Sequence, residues 1–133
     1  MLITIINQLS IYLTSIILGI MIFFSFIVAP VTFTTLDEEN ARKFIRKIFP
    51  YYYIVNLVIS FLILILFIYI KMFSLNFYLM LGITLLFALS NFLLMPLINK
   101  FRDNNQENKF KFSHLISVVI NFIQMIFLVI ILF

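Results

Sequence analysis

One histidine occurs in the chain, His114, and Ser117, Asn121 and Gln124 follow it at spacings of three, four and three. A serine near an imidazole raises the question of base-assisted nucleophilic attack. His114 and Ser117 stand one turn apart on one predicted helix, and no carboxylate in the surrounding apolar run orients the imidazole, so no triad forms. Haem ligation by two histidines of one chain is excluded. Histidine with methionine, or histidines from two subunits, stays open as a remote alternative. No histidine–carboxylate cluster supplies a zinc site within the apolar runs. The absence of cysteine removes thiolate nucleophiles, disulfides and zinc–thiolate sites. No complete catalytic set remains, so neither enzyme activity, a cofactor nor a metal is expected. His114 keeps one chemical property of interest, proton exchange near neutral pH.

The elements that carry these residues are set by hydropathy. The 133 residues are 65% hydrophobic and 11% charged, with a mean hydropathy of +1.22. A soluble domain is nearer half apolar and a quarter charged. The excess falls in four runs, about 9–30, 51–70, 77–98 and 112–133. Each is roughly 20 residues, or about 30 Å of helix, which matches the hydrocarbon thickness of a bilayer. The first run lacks a basic leader and has a core too long for a signal peptide, so it is expected to be retained. The expected fold is all-α: an integral membrane, antiparallel four-transmembrane-helix bundle, forming a single domain over 1–133.

Helical geometry places the polar residues. With His114 at zero, Ser117 lies near 300°, Asn121 near 340° and Gln124 near 280°, an arc of roughly 80°. Polar groups in hydrocarbon turn toward protein or water, so this stripe is expected to face the bundle. The second run offers Tyr53, Asn56 and Ser60 on one face, and the third offers Thr84, Ala88 and Asn91. The first offers Ser15, Gly19 and Ala29, with Ser25 nearby. Asn56, Asn91 and Asn121 each lie roughly 9–14 Å from the same end of their runs, at about 1.5 Å per residue. They are expected to meet in one layer, with His114 at its rim. Interhelical glue and a ligand or transport site are the two readings of that layer.

Eight of the nine Lys and Arg residues lie in the first and third loops. The positive-inside rule therefore places those loops in the cytoplasm and both termini outside. The basic loops lie beside membrane spans, so anionic lipid headgroups are the expected partners and nucleic acid is not. The first loop, "TTLDEENARKFIRKIFP", predicts a short cytoplasmic amphipathic helix over about 36–48, started by a Thr35–Glu38 capping box. Glu38–Arg42 and Glu39–Lys43 are favourable helical pairs. Pro50 then predicts a restart, and Tyr51, Tyr52 and Tyr53 are expected to anchor at the interface. The third loop is polar, without a strong helical pattern, and Ser113 or Asn108 is the expected start of the last helix.

In order, these features resemble the transmembrane protein 205-like family, whose bacterial members carry a domain of unknown function. Gly19, Phe23, Phe26, Pro30, Phe33 and Leu36 fit its first-span pattern. Ala41 and "FPYY", with Phe49, Pro50 and Tyr52, continue it; Asn91, Pro96, Phe110, His114, Ser117 and Asn121 complete it. The chain departs in having Arg42 where many relatives have glycine, and in lacking tryptophan. The resemblance implies a small four-helix membrane protein, here of a bacterial inner membrane, and supplies no enzyme class. The leading expectation is a structural, interaction or membrane-homeostasis role. A small transporter or channel working through the polar layer is the alternative. The usual proton-coupled exporter mechanism of small four-span proteins is disfavoured, because the first span has no carboxylate. A channel built from a homo-oligomer needs no titrating residue.

Overall fold

The computed structural model describes residues 1–133, all of its regular structure helical. Four helices are long and apolar enough to cross a membrane: α1 (Leu2–Thr35), α2 (Glu38–Tyr69), α3 (Leu75–Asp103) and α4 (Glu107–Leu132). Each packs on its neighbours in sequence, and α4 closes the ring against α1. The shared core includes the fully buried Ile17, Met21, Ile63, Met80, Ile83, Phe87 and Leu128. Outward faces carry exposed Ile, Leu and Phe side chains. Lipid solvates such a face as well as another helix would, so shape and polar contacts hold the bundle.

The helices run past the predicted breaks. Proline lacks an N–H and its ring clashes with the carbonyl four residues earlier. In α1 the turn before Pro30 widens into a π-helical segment, Phe24–Val28, and the helix continues to Thr35. In α3 the same device, Ser90–Leu94, precedes Pro96. Wide turns of this kind accommodate a missing i→i−4 bond within a continuing helix. Pro50 likewise sits inside the uninterrupted α2. The predicted surface helix over 36–48 is therefore the first part of α2, not a separate element.

The caps also differ from expectation. Asp37, not Thr35, precedes α2, and its carboxylate accepts from the Asn40 N–H at 3.3 Å. Leu36 is extended, so Thr35 belongs to the end of α1. α4 follows Gln106, with no side-chain cap, and Ser113 lies inside it, donating to the Lys109 carbonyl at 2.8 Å. The polar third loop shrinks to the turn between Asp103 and Glu107, where Asn105 takes a positive φ of 54°.

The two hairpins share a plan. Thr14, Ile17, Met21 and Phe24 form the buried ladder of α1; Met80, Ile83, Phe87 and Ser90 form that of α3 at the same spacing. Each ladder runs to a π segment that ends two residues before a proline. Beyond those points the bundle divides. Ala29–Thr35 of α1 packs on α2, while Met95–Asp103 of α3 packs on α4. Two hairpin arms thus flank a cleft at the end that carries the first and third loops.

Candidate functional site

The cleft holds a cavity of about 350 Å³, lined by 22 residues from all four helices. Apolar walls come from Phe24, Phe49 and Val118 among others. Tyr52 defines the deep end. Its ring stacks on Phe24 with centroids 4.4 Å apart, and Phe49 and Tyr53 pack at its edges. Tyr52 and Tyr53 are buried, and only Tyr51 of the predicted anchor cluster is exposed. Continuation of α2 through Pro50 carries Tyr52 into the bundle instead of leaving it at an interface.

A polar relay crosses this deep end. The Tyr52 hydroxyl donates to Asn121 Oδ1 at 2.7 Å, and Asn121 Nδ2 donates to Ser25 Oγ at 2.9 Å. It ties α2, α4 and α1 together just where the arms part. Buried amides and hydroxyls need such partners because hydrocarbon offers none.

The six residues of the predicted polar cluster divide. His114, Ser117 and Asn121 line the cavity; Asn56, Asn91 and Gln124 do not. The three asparagines do not meet in a hydrogen-bonded layer. Asn56 is fully buried and donates to the Tyr52 carbonyl of its own helix at 2.8 Å, leaving its Oδ1 without a protein partner. Asn91 is buried within the second π segment. Gln124 makes a separate crossing, donating to the Ile83 carbonyl of α3 at 3.1 Å. The His114 ring lies parallel to Phe110, with centroids 5.9 Å apart. Ser117 donates to the His114 backbone carbonyl at 2.7 Å, so its hydroxyl is not engaged with the imidazole.

The first-helix face differs as well. Ser15 and Gly19 are exposed, and a Cβ at Gly19 would meet nothing within 4 Å. Ser10 and Thr14 face inward instead, each donating to a carbonyl four residues back in its own helix. Of the motif residues, Phe49, Tyr52, Phe110 and Phe33 line the cavity. Pro30 and Pro96 stand on its two arms, and Pro50 lies beside Phe49 on α2.

Sequence reasoning did not place arginines at the site. Arg42 and Arg46 from α2 and Arg102 from α3 form the rim, with Glu38 the one acidic residue among the lining groups. Arg46 pairs with Asp103 across the mouth and reaches the Asn99 carbonyl at 3.5 Å. Arg102 pairs with Glu38 at 3.0 Å and lies 4.6 Å from the Phe110 ring centroid. Glu38 also holds Arg42, and Lys43 pairs with Glu39 at 2.7 Å, as helical spacing predicts. Exposed pairs of this kind are each worth only about 0–1 kcal/mol, so their main effect is to place guanidinium groups. The only signal for the rim in the sequence was the clustering of basic residues in two loops.

These features define a multi-pass helical membrane protein with a one-ended cleft. Residues 12–107 match the family described as Domain of unknown function (DUF4149), and the chain belongs to that family. An uncharacterized protein of Aquifex aeolicus (strain VF5) is 32% identical over 117 residues, covering 86% of this chain and 85% of that one. No solved structure matches the chain. The family match spans both arginine-bearing loops but stops before Phe110, His114 and Asn121, the α4 side of the cavity.

Proposed function

We propose that this chain is a bacterial inner-membrane protein that holds an amphipathic small molecule in the cleft, in a membrane-homeostasis role and not as a catalyst. One observation carries the reading: an apolar cavity ends on the fixed Tyr52–Asn121–Ser25 relay and opens at a charged rim. Its 350 Å³ falls within the roughly 300–1,000 Å³ of small-molecule sites, where apolar walls and a few convergent polar groups are the rule. The resemblance to the transmembrane protein 205-like family, carried by Gly19, Pro30, Asn91 and Pro96, supports the membrane reading and names no ligand.

A channel would need the cavity to continue. Toward the other end, Ile17, Met21, Ile63, Met80 and Leu128 are all fully buried. The transport alternative draws its support from the two π segments, one at the base of each arm, where helices can flex.

A thermal-unfolding titration in neutral detergent tests the binding reading. Lysophosphatidylcholine, lysophosphatidylglycerol and palmitate serve as probes. A ligand at about 100 times its Kd adds about 2.7 kcal/mol to the native state, so at least one probe should raise Tm by several degrees. Ala29 lines the cavity, and Ala29→Phe should fill it and abolish the shift while leaving helicity intact. No shift with any probe, or an equal shift in Ala29→Phe, removes the reading.

The basic loops support an orientation with the cleft facing the cytoplasm and both termini outside. A membrane-impermeant maleimide should label Phe73→Cys in intact cells, and Asn105→Cys only after permeabilisation. The opposite pattern inverts the topology.

A further inference from the structure

We propose that the ligand is an anionic phospholipid, its phosphate held between Arg42 and Arg102 and one acyl chain lying in the cavity. This rests on the binding reading above and names the class of molecule bound. The protein carries its own stand-in for the phosphate. Arg42 Nη2 and Arg102 Nη2 both reach the same atom, Glu38 Oε1. Two guanidinium groups from different arms therefore converge on a single anion position. The Glu38 side chain is 76% exposed, while those of Arg42 and Arg102 are 45% and 31% exposed. The carboxylate is the most exposed, readily hydrated member, and the Arg102 guanidinium lies against the Phe110 ring. Guanidinium forks bind phosphate oxygens in pairs, with charge-assisted hydrogen bonds.

The wall of the cavity also fits a lipid. Beyond the π segment, Ala29–Thr35 of α1 packs on α2. At the edge of that division Phe26 of α1 and Phe122 of α4 meet edge to face, with centroids 6.3 Å apart. Both rings line the cavity and both are about half exposed on the apolar outer face. A lipid can reach the cavity sideways through this aromatic pair while its headgroup stays at the arginine rim. A free anion would use the rim and leave the apolar cavity without a role. A phospholipid uses both.

Native mass spectrometry of the full chain in neutral detergent separates the outcomes. The probes are dioleoyl phosphatidylglycerol, dioleoyl phosphatidylcholine and inorganic phosphate. Phosphatidylglycerol should bind about tenfold tighter than phosphatidylcholine, and inorganic phosphate should not displace it. The double variant Arg42→Gln with Arg102→Gln should bring phosphatidylglycerol down to the level of phosphatidylcholine. Glu38→Gln removes the competing carboxylate and should tighten phosphatidylglycerol several-fold, a gain that a folding defect cannot mimic. Ala29→Phe should weaken both lipids about tenfold. Equal binding of the two lipids that is still lost in Ala29→Phe overturns the anionic assignment and leaves the amphiphile reading standing. Displacement by inorganic phosphate, with no effect of Ala29→Phe, overturns the placement of the chain in the cavity. Binding of neither lipid overturns the phospholipid assignment, and the lysolipid and palmitate titration then decides the broader reading.

Discussion

Replacing Phe87 by alanine is expected to destabilise the bundle by about 3 kcal/mol, the largest single effect we anticipate. Phe87 is fully buried and heads the largest fully enclosed side chains of the core. It lies on the inward ladder of α3 between Ile83 and Ser90. In soluble cores, Phe→Ala costs roughly 3–5 kcal/mol from lost transfer energy plus the cavity left behind. In a bilayer the transfer part shrinks, because lipid chains solvate an exposed phenyl ring. Lost packing remains, which sets the value at the lower end of that range. Phe92 is the control, since it is 64% exposed; Phe92→Ala should cost less than about 0.5 kcal/mol. Reversible unfolding in mixed micelles measures both. Equal costs would mean that the inward and lipid-facing sides of α3 are misassigned.

The second large effect is expected at Asn121. Asn121→Leu breaks both bonds of the relay and strands the Tyr52 hydroxyl beside an apolar side chain. An unsatisfied buried polar group costs about 1–3 kcal/mol. Polar pairs within membranes average about 0.6 kcal/mol, with about 1.7 at most. Loss of the two bonds should therefore cost about 1–2 kcal/mol. Tyr52→Phe removes one of them and should cost about half as much. A double-mutant cycle between the two positions should give a coupling of about 0.6 kcal/mol or more. Strict additivity would show that the relay does not join α2 to α4. The same Asn121→Leu variant should also reduce stabilisation by added amphiphile, because the cavity ends on this side chain.

Much of the fold was legible because bilayer thickness dictates run length. The hydrophobic runs gave the four helices their places, although the ends beside the first and third loops lie five or more residues beyond the predicted limits. Those ends were hidden because polar flanks such as 99–103 and 107–111 extend helices into water without an apolar period. Prolines misled for a related reason. Pro50 predicts a restart of the helix, yet α2 runs through it without interruption.

Side-chain orientation was harder to read. In a span that is apolar all round, the core face and the lipid face share one composition. Nothing in the residue types separates inward Ile17 from outward Ile16, and the small size of Ser15 and Gly19, which would allow close backbone approach, does not bring them inward. Helix α4 was clearer, since polar spacing pointed to Asn121. Its partner was harder to find. Depth alone grouped three asparagines, whereas azimuth brings Tyr52 and Ser25 to Asn121 instead. The rim was least visible of all. Its two cross-arm ion pairs join residues 57 and 64 positions apart, and loop composition says nothing about such pairing.

The bundle is open from the arginine rim down to the relay. The chain has no native cysteine, so single cysteines at Ser25 and Ser60 report on it directly. Ser25 lines the cavity, while Ser60 is fully buried outside it. In membrane vesicles exposing the first and third loops, a small methanethiosulfonate reagent should modify Ser25→Cys readily and leave Ser60→Cys unmodified. A Ser25→Cys protein as inert as Ser60→Cys would contradict the cleft and the function drawn from it.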